Sequence, residues 1–523
     1  MAHPVTQRRS RGGASLVAAG IFLSRIAGLI RECIFARYFG NSAAADAFKA
    51  AFRIPNFLQN LFGEGVLSAS FIPVYANLVA RENPEEAGRV AGAVFAILSL
   101  LTSVIVLIGV LATPLFIDVI AAGFQGQKRE LTISLVRILF PGAGLLVLSA
   151  WCLGILNSHR RFFLSYSVPV LWNIAMIAAL VWFGPHADMN SLARIVAWAS
   201  VAGSGAQFLA QLPVVVRLVP AMRIQFATHL ENVRTVIRNF GPVFVSRGVV
   251  QLSAYIDAFI ASWLPTGAVA AIGYAQTLYL LPVSLFGMSV SASELPEMSS
   301  ALGGREEVAA HLRRRLVGGL RRIAFFVIPS VVAFIALGDI IVAAIYRRGE
   351  FKPADVLYTW GILAGSGVGL LASTQGRLYS SAFYALKDTR TPLLFAVVRV
   401  ALTTVLGVCA AFPLPALLGI APKWGAAGLT ASAGISGWIE FLLLRRSLAR
   451  RIGSDPVGAA YLARLWGAAI IAAAVTWAIR APLEQRVHRP ELFACATLLP
   501  FGLIYLALTN PARLRERLSG LGN

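Results

Sequence analysis

The sequence predicts an all-α, polytopic membrane protein of about fourteen transmembrane helices, and three observations predict it. Hydrophobic residues make up 57% of the 523 and charged residues 13%, more apolar side chain than a water-facing surface accommodates. Apolar runs recur along the whole length, and fourteen spans of about twenty residues use roughly 280 positions, which leaves short loops and no sizeable soluble domain. The basic residues behind the net charge of +22 lie in short clusters between those runs, a pattern of membrane topology and not of nucleic-acid binding.

Taken in order, the first span, 14–39, follows Arg8, Arg9 and Arg11. Arg25 interrupts its apolar stretch and no small-residue cleavage site follows, so it reads as an uncleaved helix and not a signal peptide. The second, 44–78, mixes apolar and charged positions; 89–112, 131–156, 162–184 and 190–216 complete a first group. A second group comprises 241–264, 268–298, 323–345, 354–386, 392–419 and 424–444, and two further spans follow at 458–479 and 492–509. With the N-terminus inside, cytoplasmic segments hold about 26 Lys and Arg and outer loops about 9, which places both termini in the cytoplasm. Cys33, Cys152, Cys409 and Cys495 are scattered in or beside apolar spans without metal or redox spacing and read as structural.

An internal repeat organises the spans. At an offset of about 223, Ser24-Arg25 matches Ser246-Arg247, Leu61-Phe62-Gly63 matches Leu285-Phe286-Gly287, Ser68-Ala69-Ser70 matches Ser291-Ala292-Ser293, and Pro73 matches Pro296. A six-span repeat crosses the membrane an even number of times, so its copies run parallel and enclose a central cavity. The expected domains are an N-lobe at 1–222, a C-lobe at 223–453 and a C-terminal helix pair at 454–523.

Charges inside a bilayer are costly and mark a pathway or a pair. Asp46, Lys49, Arg53, Asn56, Asn60 and Glu64 recur every three or four residues, one face of a helix, with Phe48, Phe52, Phe57 and Leu61 on the others. Lining of the cavity is the reading, with Asp46 snorkelling to an interface. Arg25 and Arg31 lie about 120° apart around the first helix. Glu32 is a local partner for Arg31, whereas Arg25 and its repeat mate Arg247 have none nearby. These guanidiniums with Arg53 suit a phosphate, gripped in planar bidentate fashion. Asp257 in the seventh span is either a cation site or the partner of an arginine; Glu294, Glu297, Arg377 and Arg399 are further charges in the second group. No H-E-x-x-H, phosphate loop or acid/base frame occurs, so catalysis is not expected.

At these residues the chain resembles the MurJ/MviN family of lipid II flippases, within the multidrug/oligosaccharidyl-lipid/polysaccharide exporter superfamily. The resemblance spans essentially the whole chain. Its motifs are Ser24-Arg25 with Gly28 and Arg31; Asp46-Ala47-Phe48 leading to Pro55-Asn56 and Glu64-Gly65; Gly154 through Ser158 with Arg161-Phe162, Pro169 and Asn173; Gln211-Leu212-Pro213; Gly349-Glu350-Phe351 with Asp355; and Tyr384 through Asp388 to Thr391-Pro392. It implies twelve helices in two lobes around a cationic cavity, with the last two forming a lipid-facing groove. It also implies movement of an undecaprenyl-pyrophosphate glycopeptide from the cytoplasmic to the periplasmic leaflet by alternating access in the bacterial inner membrane, beside cell-wall synthesis machinery and membrane lipids. Arg25 and Arg31 match family cavity arginines. No cofactor is implied beyond a coupling cation, sodium or a proton, with Asp257, Asp388 and Thr404 where such a site would be expected.

The chain departs from the family where further cavity arginines are usual, reading Gln59-Asn60 and Gln276-Thr277, and it has Glu32 where aspartate is usual. Lys49, Arg53 and Arg247 are candidates to restore the charge. Rival expectations are an exporter of another undecaprenyl-linked glycan or of a drug, and a membrane polyprenyl-phosphate transferase, which would need a carboxylate metal cluster that the loops do not show.

Overall fold

A computed structural model describes residues 5–300, 304–453, 457–487 and 489–509, and every regular element among them is a helix. In chain order these are α1 (Val5–Phe39), α2 (43–80), α3 (Pro84–Leu111), α4 (Gly126–Ser158), α5 (Phe162–Phe183), α6 (Met189–Leu218) and α7 (Glu231–Ser262). They continue with α8 (Ala268–Ser299), α9 (Arg305–Ala336), α10 (Pro353–Ala385), α11 (Arg390–Leu417), α12 (Pro422–Ile452), α13 (Ala459–Arg486) and α14 (Pro490–Thr509). Short helices Thr113–Ile120 and Gly338–Tyr346 follow α3 and α9.

Among the described residues, eleven helices are long and apolar enough to cross a membrane. The three expected spans outside that set, α1, α2 and α7, carry Arg25, Arg31, Lys49, Arg53 and Asp257.

The chain divides into two compact units, Met1–Val269 and Ala270–Asn523. The repeat sets a boundary at 222/223, but α7 packs along α2 and α3, so by contact it belongs to the first unit. In that unit α4 is the central post: Trp151, Cys152, Ile155 and Leu156 are fully buried against α2, α3 and α6. Just past its C-terminal end, His159 shares a 3.0 Å hydrogen bond with the Tyr75 hydroxyl. Burial first, and then the Arg161 charge, hold that imidazole below its usual range.

The second unit is built on α10 and α12. A Cβ placed on Gly369 would overlap Gly434 Cα, so backbone meets backbone there, the small-residue contact by which membrane helices associate. Gly361 and Gly365 continue that seam at four-residue spacing against Trp424 and Ala427. The pairs Arg399–Glu440 at 3.1 Å and Arg480–Asp339 at 2.7 Å tie α11 to α12 and α13 to the helix after α9.

The helical register of α2 is broken where the sequence reads as continuous. Regular α-helix ends at Leu58, and Gln59–Leu67 is a π turn. A second π turn occupies Val283–Met288 in α8. Both contain the repeated Leu-Phe-Gly, so the two halves of the sequence repeat share a rare backbone feature.

Candidate functional site

The charged side chains of α1 and α2 meet at a buried carboxylate. Glu32 on α1 accepts a 2.7 Å hydrogen bond from Arg31 Nη2 through one oxygen and is ion-paired with Lys49 of α2 through the other. Adjacent residues on a helix point about 100° apart, so the Arg31–Glu32 pair forms at the edge where their side chains converge toward α2. Lys49 comes from α2, whose Ala47, Ala50 and Ala51 are buried and which packs on α4.

Aromatic rings wall this group. The Arg31 guanidinium carbon lies 4.9 Å from the Trp172 ring centroid and 5.8 Å from that of Phe52. Phe52 stacks on Trp172 at 5.5 Å, and Lys49 Nζ sits 4.9 Å from the Phe35 centroid. A cation over an aromatic face is attracted by its quadrupole, and more so with water excluded.

Arg53 continues the cationic row one turn along α2. Its carbonyl accepts a 2.7 Å hydrogen bond from the Tyr255 hydroxyl of α7, and the charge of Asp257 acts on its guanidinium. Asp257 is thus near enough for its charge to act on Arg53. Lys49 feels both Arg31 and Arg53, so the three cations form one electrostatic group. Against them stand the carboxylates of Glu32 and Asp257, so three positive charges less two negative leave the group near +1. An arrangement this close to neutral holds its arginines in place without a ligand, yet an arriving anion meets guanidiniums already desolvated and oriented.

Asp46 does not snorkel. It is 1% exposed, with a carboxylate oxygen 2.6 Å from Lys128 Nζ and 2.8 Å from the Gly267 amide nitrogen, which donates to it. Asp46 is therefore a buried anchor at the start of α2, joining α4 and the α7–α8 turn, and is not part of a wet stripe. The expected single face from Asp46 to Glu64 fails for a second reason. A π turn closes its hydrogen bonds five residues apart and winds fewer degrees per residue than an α-helix, so positions beyond Leu58 rotate off the line through Lys49, Arg53 and Asn56. Asn56 is half-buried and Asn60 exposed. The side chains of Gln59, Glu64 and Arg247 lie outside the described residues. Arg25 is exposed on α1, and Gln276 is exposed while Thr277 returns its hydroxyl to the Gly273 carbonyl.

The set Asp257, Asp388 and Thr404 is not one site. Asp388 lies just before α11 and Thr404 midway along it, about 24 Å apart at the helical rise. Asp388 caps α11, accepting from the Arg390 and Thr391 amides at 3.0 Å each, and pairs with Arg451 at 2.7 Å. Thr404 bonds the Val400 carbonyl of its own helix. Among the described residues no group of three His, Cys, Asp or Glu could hold a metal ion.

Sequence reasoning missed Lys128, Tyr255 and Trp172. Lys128 entered only as an outer-loop charge. Trp172 adjoins Asn173 of the resemblance motif, but nothing in its spacing announces a contact with a residue some 140 positions earlier in the chain.

The family model described as lipid II flippase MurJ matches residues 35–488. Among curated proteins, the probable lipid II flippase MurJ of Rhizobium tropici is 32% identical over 93% of this chain and 88% of its own length. The lipid II flippase MurJ of Burkholderia cenocepacia is 32% identical over 95% and 96%. Among solved structures, a lipid II flippase MurJ in an inward closed conformation aligns with a TM-score of 0.76 at 25% identity, covering 94% of this chain and 98% of that one. An inward-facing multidrug resistance MATE transporter of the MOP superfamily shares the fold at a TM-score of 0.66 and 18% identity, covering 83% and 96%.

Proposed function

The chain belongs to the MurJ family of lipid II flippases, and from that premise we propose that it carries the lipid's pyrophosphate past the bilayer core on Arg31, Lys49 and Arg53, with exposed Arg25 as a further cation. The observation that supports this reading most is the Arg31–Glu32–Lys49 group. It is an intramembrane pair of cations sharing one carboxylate, which leaves a net positive charge, inside helices too polar to be ordinary spans. A pyrophosphate brought there replaces Glu32 as the partner of at least one cation. That exchange of one anion for another avoids exposing a bare charge to the hydrocarbon core. The polyprenyl chain needs no such escort and stays in lipid.

The reading places the protein in the bacterial inner membrane with both termini cytoplasmic, moving its cargo outward by alternating access and handing it to cell-wall synthesis machinery. A coupling cation, sodium or a proton, would reset the cycle, with Asp257 beside Arg53 the carboxylate best situated to sense it, since a cation bound there competes with the arginine. A second reading, another undecaprenyl-linked glycan as cargo, draws on the neutral Asn60 and the self-bonded Thr277 where family members carry cations.

The test is leaflet-resolved accessibility of lipid II in cells depleted of their own flippase and supplied with this protein. Parent protein should restore outer-leaflet lipid II, and Arg31→Ala should abolish it. Lipid II that stays inside despite normal membrane levels of the parent protein rejects lipid II in favour of the other glycan.

A further inference from the structure

We propose that Trp172 is a positioning residue for substrate, one that holds the Arg31 guanidinium flat and presents its free N–H groups; this rests on the reading of Arg31 as a phosphate ligand. Arg31 is a long side chain with several rotatable bonds, and binding through it requires most of that freedom to be lost. The structure shows what removes it. Glu32 fixes one corner through Nη2 at 2.7 Å, and the indole of Trp172 lies under the guanidinium carbon at 4.9 Å. A carboxylate alone leaves the plane free to swivel about that contact. A ring stacked on the face fixes the plane.

The indole is itself held from three sides. Its Nε1–H donates a 3.0 Å hydrogen bond to the buried Ser200 hydroxyl of α6. Phe52 stacks on it at 5.5 Å with the planes 28° apart. Gly203 of α6 lies directly behind its backbone, where a Cβ would come within 2.9 Å of Trp172 Cα, so α5 and α6 cannot part without breaking a close contact. The chain of support therefore runs Ser200 to Trp172 to Arg31. One Arg31 N–H is committed to Glu32, and the others have no protein partner among the described residues, so the fixed plane offers donors in the fork geometry that a phosphate accepts.

A purely packing role makes a different prediction, because loss of the indole would then weaken the protein by the same amount whether or not Arg31 is present. The experiment is a double-mutant cycle on the full-length protein in nanodiscs, reading the dissociation constant for lipid II. Trp172→Leu should weaken binding about tenfold, the scale of one desolvated cation–π contact. Trp172→Phe, which keeps a ring face, should restore most of it. Ser200→Ala should cost about two- to threefold, and only while Trp172 is present. In an Arg31→Ala background, Trp172→Leu should have no further effect.

A Trp172→Leu loss of the same factor with and without Arg31 overturns the proposal, as does failure of phenylalanine to rescue. Weak binding by Arg31→Ala beside normal binding by Trp172→Leu overturns the proposal alone. Normal binding by Arg31→Ala overturns the reading of Arg31 as a ligand and the proposal with it.

Discussion

Replacing Lys128 by methionine should destabilise the protein more than removing both partners of its ion pair. The ammonium and the Asp46 carboxylate are 2.6 Å apart, with side-chain exposures of 14% and 1%. At an effective dielectric of 20, charges at that distance attract by about 6 kcal/mol, most of it offset by the desolvation of both groups. The offset is what makes the single variant costly. Asp46 stays buried and charged while its ammonium is gone, for a loss of about 3–5 kcal/mol. Lys128 Nζ also sits 4.0 Å from the Phe124 ring centroid, a cation–π contact that methionine replaces with a thioether of similar length beside the same ring, so lost packing contributes little. In Asp46→Asn/Lys128→Met no charge is buried, and the asparagine oxygen still accepts from the Gly267 amide, so the double variant should fall within about 1 kcal/mol of the parent. Thermal unfolding in nanodiscs reads this as a drop of about 6–10 °C for Lys128→Met and largely a recovery in the double variant. A double variant no more stable than Lys128→Met refutes the reasoning, because the cost would then not be an unpaired charge.

Two further outcomes follow from the second unit. Gly369→Ala should cost about 1–3 kcal/mol by forcing α10 from α12, whereas Gly376→Ala, where a Cβ meets nothing nearer than 4.0 Å, should leave the unfolding midpoint unchanged or slightly raised. Asp388 has its pKa lowered from 3.8 to about 2, first by the Thr391 amide and hydroxyl and then by Arg451. Its stabilising contribution is complete above 3.8 and lost as pH falls toward about 2, so Asp388→Ala should cost about 1 kcal/mol uniformly between pH 5 and 8 and flatten the acid limb of the stability profile. Sodium titration should not separate this variant from the parent, and a sodium-dependent difference would restore Asp388 as a cation ligand.

The helices were legible because each apolar run carries its own length and period, and tertiary packing does not alter that signal. The positions of Glu32 beside Arg31, and of Lys49 and Arg53 one turn apart, could also be read from one dimension. What could not be read is which charge answers which across helices. Lys49 pairs with Glu32, seventeen positions away, and Asp46 with Lys128, eighty-two away; either lysine could as well have faced water. The π turn was hidden for a different reason. Leu61-Phe62-Gly63 has the composition of any membrane helix, and a shift from i+4 to i+5 bonding leaves no mark in residue type, so the stripe drawn through Asn60 and Glu64 assumed a winding that the backbone does not keep.

That winding makes residue number, as well as residue identity, a constraint on this chain. A π turn amounts to one residue more than the α-helix around it needs. Deleting a single position between Gln59 and Leu67 would leave a continuous helix of ordinary bonds, so the backbone would bear the loss easily. The residues downstream would keep their present faces, because the π turn is where the surplus residue is absorbed; the same deletion between Ala43 and Leu58 would swing them by about 100° and turn Tyr75 away from His159. The same arithmetic applies to Val283–Met288. Insertions and deletions that loops absorb act as rotations in the α-helical stretches, and the two π turns are the places where these helices can lose a residue and keep their internal geometry.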